Sequence, residues 1–189
     1  MNKLNGLSCY LAGPVEFDQN AHDWRNTLSE RLIKFNLKIY NPLIKPKWLN
    51  DACKVDPQVY IKVLNGNSQI VNSPSGEMLL TKDVVEVAAK ELRRLCMKMV
   101  TSSDFVICNA PRKYTSGTWD EIYFANDADI PVLFCAPDGI PATWMISRFP
   151  SSAFFKNWDE LMNYIENVDN GTIDVDLFQW LPAHYFGEI

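Results

Sequence analysis

Short apolar runs alternating with segments of helical periodicity are the strongest constraint on how this chain folds. Ser8 to Leu11 is an apolar run that breaks at Gly13-Pro14, as a buried strand ending in a tight loop would. From about Ala21 to Phe35, Trp24, Leu28, Leu32, Ile33 and Phe35 recur at helical spacing. Leu37 to Tyr40 then reads as a second strand, ended by Asn41-Pro42. The same alternation returns further on. Lys82 to Val100 is helical through Val84, Val87, Ala88, Leu92, Leu95, Cys96 and Met99, and Asp104 to Asn109 is a third strand. Thr118 to Ala128 is a helix with Gly117 just ahead of it, Ile130 to Ala136 a fourth strand, and Ser151 to Phe155 a short fifth. An Asn157-capped helix runs on to about Val168.

Strands that alternate with helices predict a parallel sheet covered on both faces, and a flavodoxin-like, doubly wound α/β fold of about five strands fits best. Residues 41–81 carry Pro42, Pro46, Pro57 and Pro74 and are too long for an ordinary connection. They are expected to be a lid, a local insertion or a poorly ordered segment after strand two. The domain is expected over 1–168, with 169–189 as an acidic, aromatic-bearing tail whose Tyr185 to Ile189 either docks or frays.

A chain of 189 residues, 47% hydrophobic, has enough apolar material for one core. A net charge of −5, from 18 Lys+Arg against 23 Asp+Glu, argues against a nucleic-acid polymer as partner. No apolar run approaches the roughly 20 residues that span a bilayer, and the N-terminal stretch is too short for a signal core, so no membrane partner and a cytoplasmic location are expected. The five cysteines are scattered and form no CxxC, which predicts core fillers rather than disulfides or a zinc knuckle. With only His22 and His184, a histidine-centred triad is a poor fit, so carboxylates must carry any acid–base or nucleophilic work.

In a doubly wound sheet the ligand lies outside the carboxyl ends of the strands. That places Ala12-Gly13-Pro14, Asn41, Asn109-Ala110 and the loop before Gly117 around one site. The loop after strand one is neither GxGxxG nor a Walker loop, so no dinucleotide or ATP fingerprint is present. Gly13 permits close backbone approach to a ligand, or simply makes a tight turn. Ser116-Gly-Thr-Trp-Asp-Glu-Ile122 puts Glu121 near the start of a helix, where the terminus stabilises an anion by about 0.3–1 kcal/mol. Adjacent Asp120 points about 100° away. By itself such a pair is also ordinary capping chemistry, and Asp104 is equally readable as a turn or cap residue.

Taken in order, Tyr10-Leu-Ala-Gly-Pro14, Trp24-Arg25, Tyr40-Asn41-Pro42, Ser103-Asp104-Phe-Val-Ile107, Ser116-Gly-Thr-Trp-Asp-Glu-Ile122 and Ile130-Pro-Val132 resemble the signatures of the nucleoside 2-deoxyribosyltransferase-like family. The match covers about Ser8 to Leu161, apart from the Pro-rich insert. It implies a flavodoxin-like fold and cleavage of the N-glycosidic bond of a 2′-deoxynucleoside or its 5′-monophosphate. Transfer is then to another base or to water, without metal or redox cofactor. It further implies a homo-oligomer whose subunits complete one another's pockets.

By the same resemblance Glu121 is the catalytic carboxylate, Tyr10 positions it and Asp104 contacts substrate. A carboxylate can stabilise the oxocarbenium-like state at C1′ and trap it as a glycosyl ester, and Asp104 is the candidate proton donor to the departing base. The expected substrate contacts are Ala12, Gly13, Pro14, Arg25, Asn41, Thr115, Ser116, Gly117, Thr118 and Trp119. Thr115 stands where relatives acting on free nucleosides commonly carry Asp. A hydroxyl there suits a phosphate oxygen, with Arg25 a second phosphate contact or a solvated helix residue. Trp119 either stacks on a base or packs on the sheet. The competing functions are glycohydrolysis of NAD or a related ribosyl compound, and a nucleotide-binding module without turnover.

Overall fold

The computed structural model describes residues 2–15, 21–53, 56–110, 115–136, 152–173 and 175. The expected loop around Pro137, Gly139 and Pro141 and the expected docking tail at Tyr185 to Ile189 lie outside them. Two compact units are present, one formed by residues 1–41 with 98–189 and one by Pro42–Met97.

The first unit is built on a five-stranded parallel sheet of β1 (Ser8–Ala12), β2 (Lys38–Tyr40), β5 (Phe105–Asn109), β6 (Val132–Cys135) and β7 (Ser152–Phe155). The strand order is β2-β1-β5-β6-β7. With the strands of the second unit set aside, this is the doubly wound flavodoxin order, whose direction switches between β1 and β5. Every residue of β1 is buried, as expected of a strand covered on both faces.

Alternation along the strands divides the core. Cys9, Leu11, Phe105, Ile107, Leu133 and Phe155 face α1 (Asp23–Leu32) and α6 (Trp158–Asp169), which add Leu28, Leu32, Leu161 and Ile165. Tyr10, Ala12, Val106, Cys108, Val132 and Phe134 face α5 (Ser116–Asp127) and the end of α4 (Lys82–Thr101), meeting Trp119, Ile122, Ala125 and Val100. Each large apolar side chain so buried contributes about 1.5–3 kcal/mol. Local signals set the element ends. Asn157 caps α6 by accepting from the Glu160 amide at 2.8 Å, and Asn36 takes the left-handed conformation (φ 54°) that lets the chain turn from the α1 segment into β2.

The second unit holds α2 (Lys47–Cys53), α3 (Pro57–Leu64) and the hairpin of β3 (Gln69–Ser73) and β4 (Gly76–Leu80), with α4 as far as Met97. Asp56 caps α3 and Pro57 opens it. In the hairpin Val71, Met78 and Leu80 pack inward with Val63 and Val85, while the directly paired Ile70 and Leu79 are exposed. Apolar residues on both hairpin faces erase the strand period, so the sequence marks only turns here.

Candidate active site

Helix α5 brings one carboxylate into the core of the first unit. Thr118, Glu121, Ile122 and Ala125 recur at helical spacing and face the sheet, whereas Asp120 is exposed. Glu121 is 8% exposed, and its Oε1 accepts a hydrogen bond of 2.6 Å from the hydroxyl of Tyr10, itself fully buried in β1. The helix begins at Ser116 rather than near Thr118, which puts Glu121 in the second turn and not the first. The terminal dipole fades within the first turn, so the Tyr10 hydroxyl is the stronger support for the charged carboxylate.

On the same sheet face, one strand over, stands Cys108, paired in register with Ala12. Burial pushes its thiol well above the usual range, the negative charge of Glu121 adds to the rise, and Arg25 opposes it. Cys108 is therefore a neutral neighbour of the carboxylate rather than a nucleophile. Read from sequence as a core filler, it is betrayed as a site neighbour only by strand alternation from Tyr10. Among the described residues no group of three or more His, Cys, Asp or Glu side chains gathers as a metal site would require.

At the carboxyl edge, β1 ends at Ala12 and the backbone turns through Gly13 at φ 156°, a conformation side chains rarely adopt. A Cβ here would meet Trp24 Cζ2 at 2.8 Å and Asn109 Cβ at 3.1 Å. Gly13 is thus required by packing at the β1/β5 switch point as well as by backbone conformation. Ala12 is fully buried, Pro14 is half-buried, and Asn41 is buried where β2 ends.

Arg25 departs from the reading as a solvated helix residue. It is 0% exposed and donates to the carbonyls of Gly13 (Nη2, 2.7 Å), Ala21 (Nη1, 2.7 Å), Pro14 (Nη1, 3.3 Å) and Leu11 (Nε, 3.4 Å). Its Cζ lies 4.3 Å from the ring centroid of Trp24.

At the head of α5, Thr115 takes the N-cap position in an extended conformation but makes no side-chain cap, and its buried Oγ1 has no hydrogen-bond partner among the described residues. Ser116 and Gly117, the first two helical residues, are exposed, and Thr118 is buried. Trp119 packs in the sheet core with Tyr10 and Ala12 and is 8% exposed, which favours the packing reading over base stacking.

Asp104 lies elsewhere. It immediately precedes β5 at the amino edge of the sheet, and its Oδ2 accepts from the Ser8 amide at 2.6 Å and the Ser8 hydroxyl at 2.8 Å. At about 3.3 Å per residue, the length of β5 separates it from the carboxyl edge by roughly 16 Å. Its contacts are those of a cap on β1, and the structure does not bring it to Glu121. Asp104→Asn is accordingly expected to cost about 1 kcal/mol of stability. Urea denaturation checks this, and a stability equal to the parent's contradicts the capping role.

No family model matches the chain, and no curated protein does. Among solved structures, the chain is similar to a 2-deoxyribosyltransferase from the psychrotolerant bacterium Bacillus psychrosaccharolyticus. The TM-score is 0.53 at 14% identity, over 93% of this chain and 98% of that one. It is also similar to a CMP N-glycosidase of Clostridium botulinum, with a TM-score of 0.48 at 10% identity, over 86% of this chain and 98% of that one. At 14% identity the likeness is one of fold: the chain is built on the flavodoxin-like α/β frame that the Bacillus transferase also has.

Proposed function

We propose that the chain cleaves the N-glycosidic bond of a 2′-deoxynucleoside or its 5′-monophosphate, with Glu121 as nucleophile. The observation that carries the reading is the buried Tyr10–Glu121 hydrogen bond of 2.6 Å beside the β1/β5 switch point. The ordered motifs and the fold shared with a 2-deoxyribosyltransferase support it.

A Glu121 oxygen attacks C1′ as the bond to the base breaks, and the base leaves with the bonding electron pair. The resulting glycosyl ester is released by attack of a second base or of water. With Asp104 at the far edge, the departing base takes its proton from water. Tyr10 holds Glu121 in line and keeps it charged until the ester forms.

The hydroxyl-bearing head of α5 favours a 5′-monophosphate. Exposed Ser116 and Gly117 begin the helix, and the Thr115 hydroxyl does not cap it. Backbone amides at a helix start suit a phosphate oxygen.

The test incubates the protein with each deoxynucleoside and each 5′-monophosphate, with and without a second free base, and follows released or exchanged base by chromatography. Exchange that depends on the second base makes it a transferase, and release without an acceptor makes it a hydrolase. No reaction across the panel overturns the proposal. Tyr10→Phe is expected to lower kcat by about 10- to 100-fold, the worth of one hydrogen bond to a charged group. Undiminished kcat in that variant removes Tyr10 from the mechanism.

A further inference from the structure

The buried guanidinium beside the switch point has no part in the chemistry above, yet it donates to three carbonyls of the turn that borders the site, those of Leu11, Gly13 and Pro14. We propose that Arg25 is a positioning residue that holds the turn from Leu11 to Pro14 in the shape that sets substrate against Glu121, irrespective of the substrate's 5′ group. The inference rests on the proposed function for its kinetic consequence, but its structural part is independent of that reading.

The parallel ladder pairs β1 with β5 only as far as Ala12, so beyond that residue the backbone needs other partners. Arg25 supplies donors to Gly13 and Pro14 past the ladder, to Leu11 within it, and to Ala21 at the entry to α1. One rigid fork thus ties both ends of the β1–α1 connection. The pairing is also a packing device. Trp24 lies against the guanidinium, closes on Gly13, and stacks on Trp158 of α6 with centroids 5.5 Å apart and planes 11° apart. Lysine would bring a point charge with rotating donors rather than a planar fork, and cannot serve carbonyls spread over this turn in the same way.

Arg25→Lys separates this role from direct phosphate binding. The variant is assayed on a deoxynucleoside and on its 5′-monophosphate, and amide hydrogen exchange is followed in the full chain. A displaced turn is expected to lower kcat/KM by about 10- to 100-fold, to the same extent for both substrates. Exchange at Ala12, Gly13 and Val15 is expected to quicken while Phe105–Asn109 keep their protection. A loss confined to the monophosphate assigns Arg25 to phosphate contact and overturns the proposal, as does unchanged exchange in the turn. Should Arg25→Lys fold too poorly to assay, Arg25→Gln, which keeps a planar donor pair without charge, carries the same readouts and expectations. A parent protein inactive on every substrate defeats the proposed function instead, and the exchange measurement still decides the role of Arg25.

Discussion

Glu121→Gln is expected to lower turnover by about 10⁴-fold or more, the scale seen when a nucleophile is removed from a catalytic group that acts as a unit. Glutamine has nearly the same shape and keeps an oxygen able to accept from Tyr10, so the 2.6 Å contact has a counterpart in the variant. What is lost is the negative charge and the nucleophilic oxygen. Removing a charge from a site that is 8% exposed relieves a desolvation cost, so the melting temperature is expected to hold or rise. Chromatography of released base together with thermal denaturation checks both halves. A variant that retains activity removes Glu121 from the chemistry, and one that loses activity by unfolding leaves the shape argument wrong.

Gly13→Ala is expected to destabilise the protein by about 2–4 kcal/mol, from a strained backbone conformation and an overpacked contact acting together. The new methyl would stand 2.8 Å from Trp24 Cζ2 and 3.1 Å from Asn109 Cβ. Trp24 cannot retreat freely, because its ring is stacked on Trp158 and lies under Arg25. Relief must therefore come from moving the turn itself, and activity should fall with stability. Urea denaturation checks the first part. A change of less than about 0.5 kcal/mol, the range of an ordinary surface substitution, shows that the turn adapts and that the glycine is not required.

Much of the fold could be read from period alone, because strands covered on both faces are uninterrupted apolar runs and the helices between them carry one apolar stripe. Leu37 to Tyr40, Asp104 to Asn109 and Ser151 to Phe155 each contain a strand of the sheet, within a residue or two of its ends. The second unit was much less legible up to Thr81. Its helices α2 and α3 span only seven and eight residues, and its hairpin shows Ile70 and Leu79 outward where a polar face would mark a strand.

Within the site, the partnership of Tyr10 with Glu121 was legible only through the family that the ordered motifs resemble; strand alternation and helical spacing are the physical reason the two side chains meet on one core face. The start of α5 was not. Ser116 and Gly117 are weak helix formers, and their exposure gives no periodic signal, so Thr118 marked the helix and Glu121 was placed one turn too early.

By itself the sequence determined the alternation of strands and helices, because this depends on local period, and its ordered motifs pointed to Glu121 and Tyr10 through the family they resemble. Only the tertiary structure decided that Asp104 caps Ser8 of β1, that Cys108 shares the sheet face of Tyr10 and Ala12, and that Arg25 turns inward to backbone carbonyls. The physical reason is common to all three. Which neighbour a strand-end carboxylate caps, which strands lie side by side, and whether a long charged side chain finds solvent or buried acceptors all depend on contacts between segments distant in the chain, and no local period records them.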